Sequence, residues 1–193
     1  MIMLRKWLYK MLKEDGMSDD EVEIIEYGLY CFLLFAVGVM AALAVGFIEG
    51  CMIYMVLFLS LFIPLRVYAG GAHMNSLWKC GICSLAIIIV VGLAFKYDVG
   101  GGYMDICLGL LCCGTICILA PQDTETKRLY PSEKKRNAII SRILAVIYLL
   151  IFMLLYNIGK LQACKIILAS LVVETISLTS GYISNVLRRK IKN

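Results

Sequence analysis

The sequence predicts an all-α polytopic membrane protein: six transmembrane helices preceded by an N-terminal amphipathic helix in the membrane interface. Three observations predict it. The 193 residues are 61% hydrophobic, and the mean hydropathy is +0.85. Only 17% of residues are charged, and these are clustered, whereas a soluble domain carries about 25%. Between the clusters lie six apolar runs near the length of about 20 residues that a membrane-spanning helix needs.

Along the chain, residues 1–14 (MIMLRKWLYKMLKE) set Met3, Leu4, Trp7, Leu8, Met11 and Leu12 on one helical face. Arg5, Lys6, Lys10 and Lys13 fall largely elsewhere, the pattern of a helix lying in the interface. No signal peptide is expected, because the first 20 residues are charged throughout. The acidic stretch DGMSDDEVE reads as a turn into the first span. Apolar runs then occupy 24–48, 50–66, 79–96, 102–120, 139–157 and 161–185. Pro64 is expected to kink or end the second, with the chain leaving the helix around Gly70 and Gly71. The whole chain, 1–193, reads as a single membrane-embedded domain: an amphipathic segment at 1–20, a six-helix bundle at 24–185 and a basic tail at 186–193.

Lys and Arg set the orientation. Of the 19, only Lys96, Lys160 and Lys165 fall on the side opposite the termini. The others lie in the N-terminal segment, the 66–80 and 121–138 connections, at Arg142 and in the tail, so these face the cytoplasm. The net charge of +5 is thereby explained by topology, and nucleic acid is not an expected partner. The nine cysteines sit mostly inside apolar runs, where they read as small buried hydrophobes rather than a disulfide framework.

The 66–80 connection, RVYAGGAHMNSLWKC, carries the chemistry. It holds the sole histidine, His73, and Cys80 seven residues later. An imidazole that takes the proton of a nearby thiol generates the thiolate that attacks a carbonyl. Gly70 and Gly71 let the chain fold back before His73, and Asn75 or Ser76 can cap the third helix. Cys80 would then stand one turn into that helix, near its positive end and beside Lys79, and both favour the thiolate. Spacing alone favours an interfacial histidine and a packing cysteine, because Cys-plus-His signals do not transfer between families. Cys80-Gly-Ile-Cys83 is also a CxxC, but one histidine and no second CxxC leave a zinc site without ligands. Cys83 reads as structural, and no metal or cofactor is expected.

Arg66, Gly71, His73 and Cys80, in an R-x4-G-x-H-x6-C pattern with Ser76 and Trp78 before the cysteine, resemble the accessory gene regulator B (AgrB) family of bacterial membrane peptidases. Leu119-Ala120-Pro121 with the basic stretch after it, and Val173-Glu174-Thr175-Ile176-Ser177-Leu178, resemble that family's second cytoplasmic connection and last span. The resemblance implies a cysteine endopeptidase of the bacterial cell membrane, with both termini and the active site cytoplasmic. Its substrate would be an AgrD-type propeptide of quorum sensing. Cys80 would be the nucleophile and His73 the base, with release of the C-terminal tail and closure of a thiolactone or lactone ring.

Other polar residues are candidates for substrate binding or support. Arg66 can anchor topology, bind a propeptide carboxylate or brace the loop. Glu174 lies near mid-span, where an ionisable group is costly and calls for a partner. Lys127, Arg128, Lys134, Lys135 and Arg136 can hold an acidic tail or lipid headgroups, or serve only as a solvated loop. The small residues of Gly38–Gly46 suit close helix approach, including that of a homodimer. The alternatives are a small transporter gated by its polar loop, which would need polar residues along several spans, and a thiol-redox protein, which would need Cys83 as much as Cys80.

Overall fold

A computed structural model describes residues 18–71, 77–122 and 131–192. The described residues form six helices: α1 (Asp19–Ile48), α2 (Met52–Ala69), α3 (Leu77–Lys96), α4 (Tyr103–Leu119), α5 (Pro131–Asn157) and α6 (Leu161–Lys192). The all-α prediction holds, and each expected run lies within one helix or overlaps it closely. Among the described residues, three helices are long and apolar enough to cross a membrane: Met52–Ala69, Ser132–Asn157 and Leu161–Leu187. Phe32–Ile48, Gly81–Lys96 and Tyr103–Leu119 are shorter apolar stretches. The expected amphipathic helix at 1–14 lies outside the described residues.

Contacts divide the chain into Met1–Ala41 and Ala42–Asn193. In the first unit, Asp19–Glu23 of the acidic stretch lie in the first turns of α1 rather than in a turn before it. Ser18 and Glu21 form a capping box: Glu21 N–H donates to Ser18 Oγ at 3.4 Å, and Ser18 N–H donates to Glu21 Oε2 at 2.9 Å. That backbone donor holds the Glu21 carboxyl below its usual range.

In the second unit α6 is central, packing against α2, α4 and α5 and less extensively against α3. Leu65, Cys112, Ile116, Phe152 and Leu171 lie in one apolar core, drawn from α2, α4, α5 and α6. Met55, Phe58, Phe95 and Ile166 lie in a second, which also takes Ala42 from the end of α1. A Cβ at Gly46 would fall 2.9 Å from Met55 Cβ, so the small residue at this point admits α2 of the same chain. Cys112, Cys113 and Cys164 are buried, as expected of packing residues, while Cys83 and Cys107 are exposed.

Pro64 does not end α2, which continues to Ala69. Proline lacks the N–H that would bond the Ser60 carbonyl and disturbs the turn before it. Tyr148 of α5 donates its hydroxyl to the adjacent Leu61 carbonyl at 3.0 Å, supplying a donor at the interrupted turn. Helix α5 likewise begins at Pro131, eight residues before the expected start, with proline at the position where its missing N–H is harmless.

At the end of the bundle away from Gly70, charged residues staple the connections. Lys96 Nζ lies 2.7 Å from Glu49 Oε2. The buried Lys165 reaches the Asp98 carboxylate at 2.8 Å and the Asp98 carbonyl at 2.9 Å. The Lys165 donor, then Gln162, hold the Asp98 carboxyl below its ordinary value. Asp105, in the first turn of α4, accepts the Gly101 amide at 2.5 Å.

Candidate functional site

The 66–80 connection leaves α2 through two glycines. Gly70 has φ +75° and Gly71 φ +143°, conformations that L side chains rarely adopt. Gly70 N–H donates to Arg66 O at 3.0 Å and closes the helix. The turn occurs where the sequence places it.

Around this exit the structure gathers residues that are far apart in the chain. Arg66 Nη1 donates to Gly70 O at 2.7 Å and to Ser177 Oγ. The same nitrogen stands 3.8 Å from Glu174 Oε1. Glu174 is fully buried, and neither of its carboxylate oxygens accepts a hydrogen bond among the described residues. Gly71 is buried against the cluster, and a Cβ there would overlap the Arg66 guanidinium and the Ser177 hydroxyl. Three of the sequence candidates, Arg66, Gly71 and Glu174, therefore meet at one point. Arg66 is the partner that mid-span Glu174 requires.

The second connection is tied to the same exit. Gln122 N–H donates to Ala69 O at 3.0 Å, and Gly70 and Gln122 form an isolated parallel bridge. A Cβ at Gly70 would sit 2.8 Å from Gln122 O, so glycine permits the approach. Gln122 Nε2 donates to Leu119 O at 2.8 Å, and Asn185 Nδ2 donates to Gln122 Oε1 at 3.4 Å. The peptide bond before Pro121 is cis.

Ser177, Gln122 and Asn185 were not singled out from the sequence. The signal was available for two of them. Ser177 and Asn185 follow Glu174 by three and eleven residues, close to whole numbers of turns, so the three share one face of α6. Nothing in the sequence marks Gln122, whose part depends on a backbone bridge.

The remaining candidates separate. His73 lies outside the described residues, as do Asn75, Ser76, Lys127 and Arg128. The backbone of α3 includes Cys80 as its fourth residue, as the sequence predicts, and the Cys80 side chain lies outside what is described. Lys134, Lys135 and Arg136 do not lie on a loop: they are exposed in the first two turns of α5. Cations gain nothing from the positive end of a helix, so the helix dipole does not account for them there.

Comparison with known proteins gives a consistent result. A protein of Clostridium perfringens strain 13 named AgrB-like protein 2 is 26% identical over 195 residues, covering 94% of this chain and 91% of its own. A protein named AgrB-like in C. perfringens strain SM101 is 25% identical over 198 residues, with the same coverage. No solved structure matches. The sequence profile of the Accessory gene regulator B family matches residues 4–178, which takes in the Arg66–Cys80 connection, Gln122 and the Glu174–Ser177 pair. The chain belongs to the Accessory gene regulator B family, which is associated with accessory gene regulator quorum sensing.

Proposed function

We propose that the chain is a membrane cysteine endopeptidase that removes the C-terminal tail of an AgrD-type propeptide and closes its ring. The carrying observation is the match of the family profile through the connection that holds His73 and Cys80. The convergence of Arg66, Gly71 and Glu174 at the root of that connection supports it.

In this reading His73 takes the Cys80 thiol proton, and the thiolate attacks the carbonyl carbon at the C-terminal edge of the future ring. The tetrahedral intermediate collapses, the peptide C–N bond breaks, and His73 returns the proton to the departing amine. The tail leaves, and the rest of the propeptide remains as a thioester on Cys80. A cysteine thiol or serine hydroxyl within the propeptide then gives its proton to His73 and attacks the thioester carbon. Cys80 departs as the thiolate, and the ring closes as a thiolactone or lactone. The exchange of the acyl-sulfur bond to Cys80 for a new acyl-sulfur or acyl-oxygen bond needs no redox partner or metal. A water-poor interface protects the thioester until the internal nucleophile arrives.

The six helices cross the membrane in this reading, with residues 1–20 on the interface and both termini and both Arg66-side connections cytoplasmic, as the distribution of Lys and Arg supports. The transporter alternative is less well supported. The buried polar or charged residues among those described are Ser141, Lys165, Ser170 and Glu174. Both serines bond carbonyls of their own helix, and Lys165 is held by Asp98.

Cys80→Ala and Cys83→Ala separate the peptidase from the redox reading. With the enzyme and its propeptide co-expressed, mass analysis should find no released tail with Cys80→Ala and near-normal release with Cys83→Ala. Equal loss from both substitutions would favour thiol-redox chemistry.

A further inference from the structure

Glu174 presents a physical difficulty that stability does not resolve. A buried carboxylate returns its desolvation cost only with close geometry and hydrogen bonds to its remaining lone pairs. Among the described residues, the cationic nitrogen that faces it, Arg66 Nη1, is 3.8 Å away, and neither oxygen accepts a hydrogen bond. Replacing Glu174 and Arg66 together by apolar side chains of similar volume would commonly stabilise the bundle as well or better. What the carboxylate does supply is direction. It faces Arg66 Nη1, and that nitrogen also holds Gly70 O and Ser177 Oγ. Arg66 is thus drawn toward α6 by one charge and one acceptor, three residues apart on the same helix face.

The object held in this way is the exit of the chain from α2. Gly71 is buried against the Arg66 guanidinium and Ser177, and the Gln122 backbone fixes Ala69 and Gly70 from the other side. His73 follows Gly71 by two residues. Whatever holds Gly71 therefore holds the start of the segment that carries the proposed base. We propose that Glu174 and Ser177 are positioning residues, acting through Arg66 and Gly71, that set the placement of His73 relative to Cys80. The proposal rests on the peptidase reading above. Arg66 acts here as a brace rather than as a receptor for a propeptide carboxylate, and the two roles differ in kinetics. A brace governs the chemical step, while a substrate contact governs binding.

Ser177→Val removes the acceptor at nearly the volume of Ser177→Thr, which keeps a hydroxyl. Glu174→Gln removes the charge at constant shape. The full-length enzyme, reconstituted in lipid with its synthetic propeptide, would be assayed for tail release across substrate concentrations. Misplacement of a reacting group by about 1 Å can cost 100-fold, so kcat should fall between about 10- and 100-fold in Ser177→Val and Glu174→Gln. KM should stay within about twofold, and Ser177→Thr should recover most of the loss. A raised KM at unchanged kcat would overturn the proposal in favour of substrate contact. Wild-type kinetics in both variants would also overturn it, as would a Thr variant as impaired as the Val variant. If Ser177→Val does not accumulate, Glu174→Gln decides by the same kcat and KM criteria. The Cys80→Ala enzyme in the same assay keeps the two readings distinct. Tail release by that variant would overturn the peptidase reading itself, whereas an inactive Cys80→Ala beside unimpaired Glu174 and Ser177 variants would overturn only the brace.

Discussion

Gly71 sits at φ +143° with a guanidinium where its Cβ would be, so both its backbone and its surroundings demand glycine. Gly71→Ala should introduce local strain on the order of 1–3 kcal/mol and displace Arg66. Tail release should fall at least about tenfold, a size typical of lost positioning. Gly114→Ala in α4, where an added Cβ meets nothing within 4 Å, is the control and should retain activity. Peptide assay beside a thermal melt in detergent checks both. Equal activity of the two variants would remove Gly71 from the site. At this scale the sequence was partly legible. Two adjacent glycines after an apolar run announce a chain reversal, and a carboxylate in mid-span announces a buried partner. It could not announce that Arg66 is that partner, because the two are 108 positions apart in a chain whose helix packing is not written in local spacing. Ser177 does not stand out in the sequence, because it lies among other hydroxyl residues of α6 and a helical serine commonly bonds its own backbone, as Ser170 does here.

Helix α5 carries Lys134, Lys135 and Arg136 within its first two turns. Replacing all three with Gln removes charge from the wrong end of a helix dipole, so the helix itself should not be weakened. If these cations attract an acidic propeptide tail, KM should rise several-fold with kcat within about twofold, and the defect should shrink at about 0.5 M salt. Steady-state kinetics at low and high salt checks this. Unchanged KM at low salt would leave the cluster as a topology signal alone. Apolar runs located the elements well because hydropathy is summed over many residues. Hydropathy places the starts of α1 and α5 late, because the charged residues of their first turns lie outside the apolar runs. The cues were short: Ser18-x-x-Glu21 for a capping box, and Pro131 for a first helical turn. Pro64 does not end its helix, and a tyrosine from another helix supplies a donor at the turn it interrupts.

Across the second unit, α6 joins the parts. It contributes to both apolar cores, carries Glu174, Ser177 and Asn185, and meets the roots of both connections on the Gly70 side. The distribution of Lys and Arg makes that side the cytoplasm in the proposed topology. The class of the molecule was legible because composition and charge clustering are global properties. The joining of the two connections through Gly70 and Gln122 was not, because it is made by backbone groups that every residue possesses. The most direct measurement of the central claim is the mass of the intact enzyme after a propeptide lacking its ring nucleophile is added to inverted and to right-side-out membrane vesicles. In inverted vesicles, enzyme carrying Cys80 should gain the mass of the propeptide without its tail, as a thioester that hydroxylamine removes, and Cys80→Ala enzyme should gain nothing. An adduct on Cys80→Ala enzyme, adducts formed only in right-side-out vesicles, or tail release with no thioester at all would contradict a cytoplasmic Cys80 acyl-enzyme.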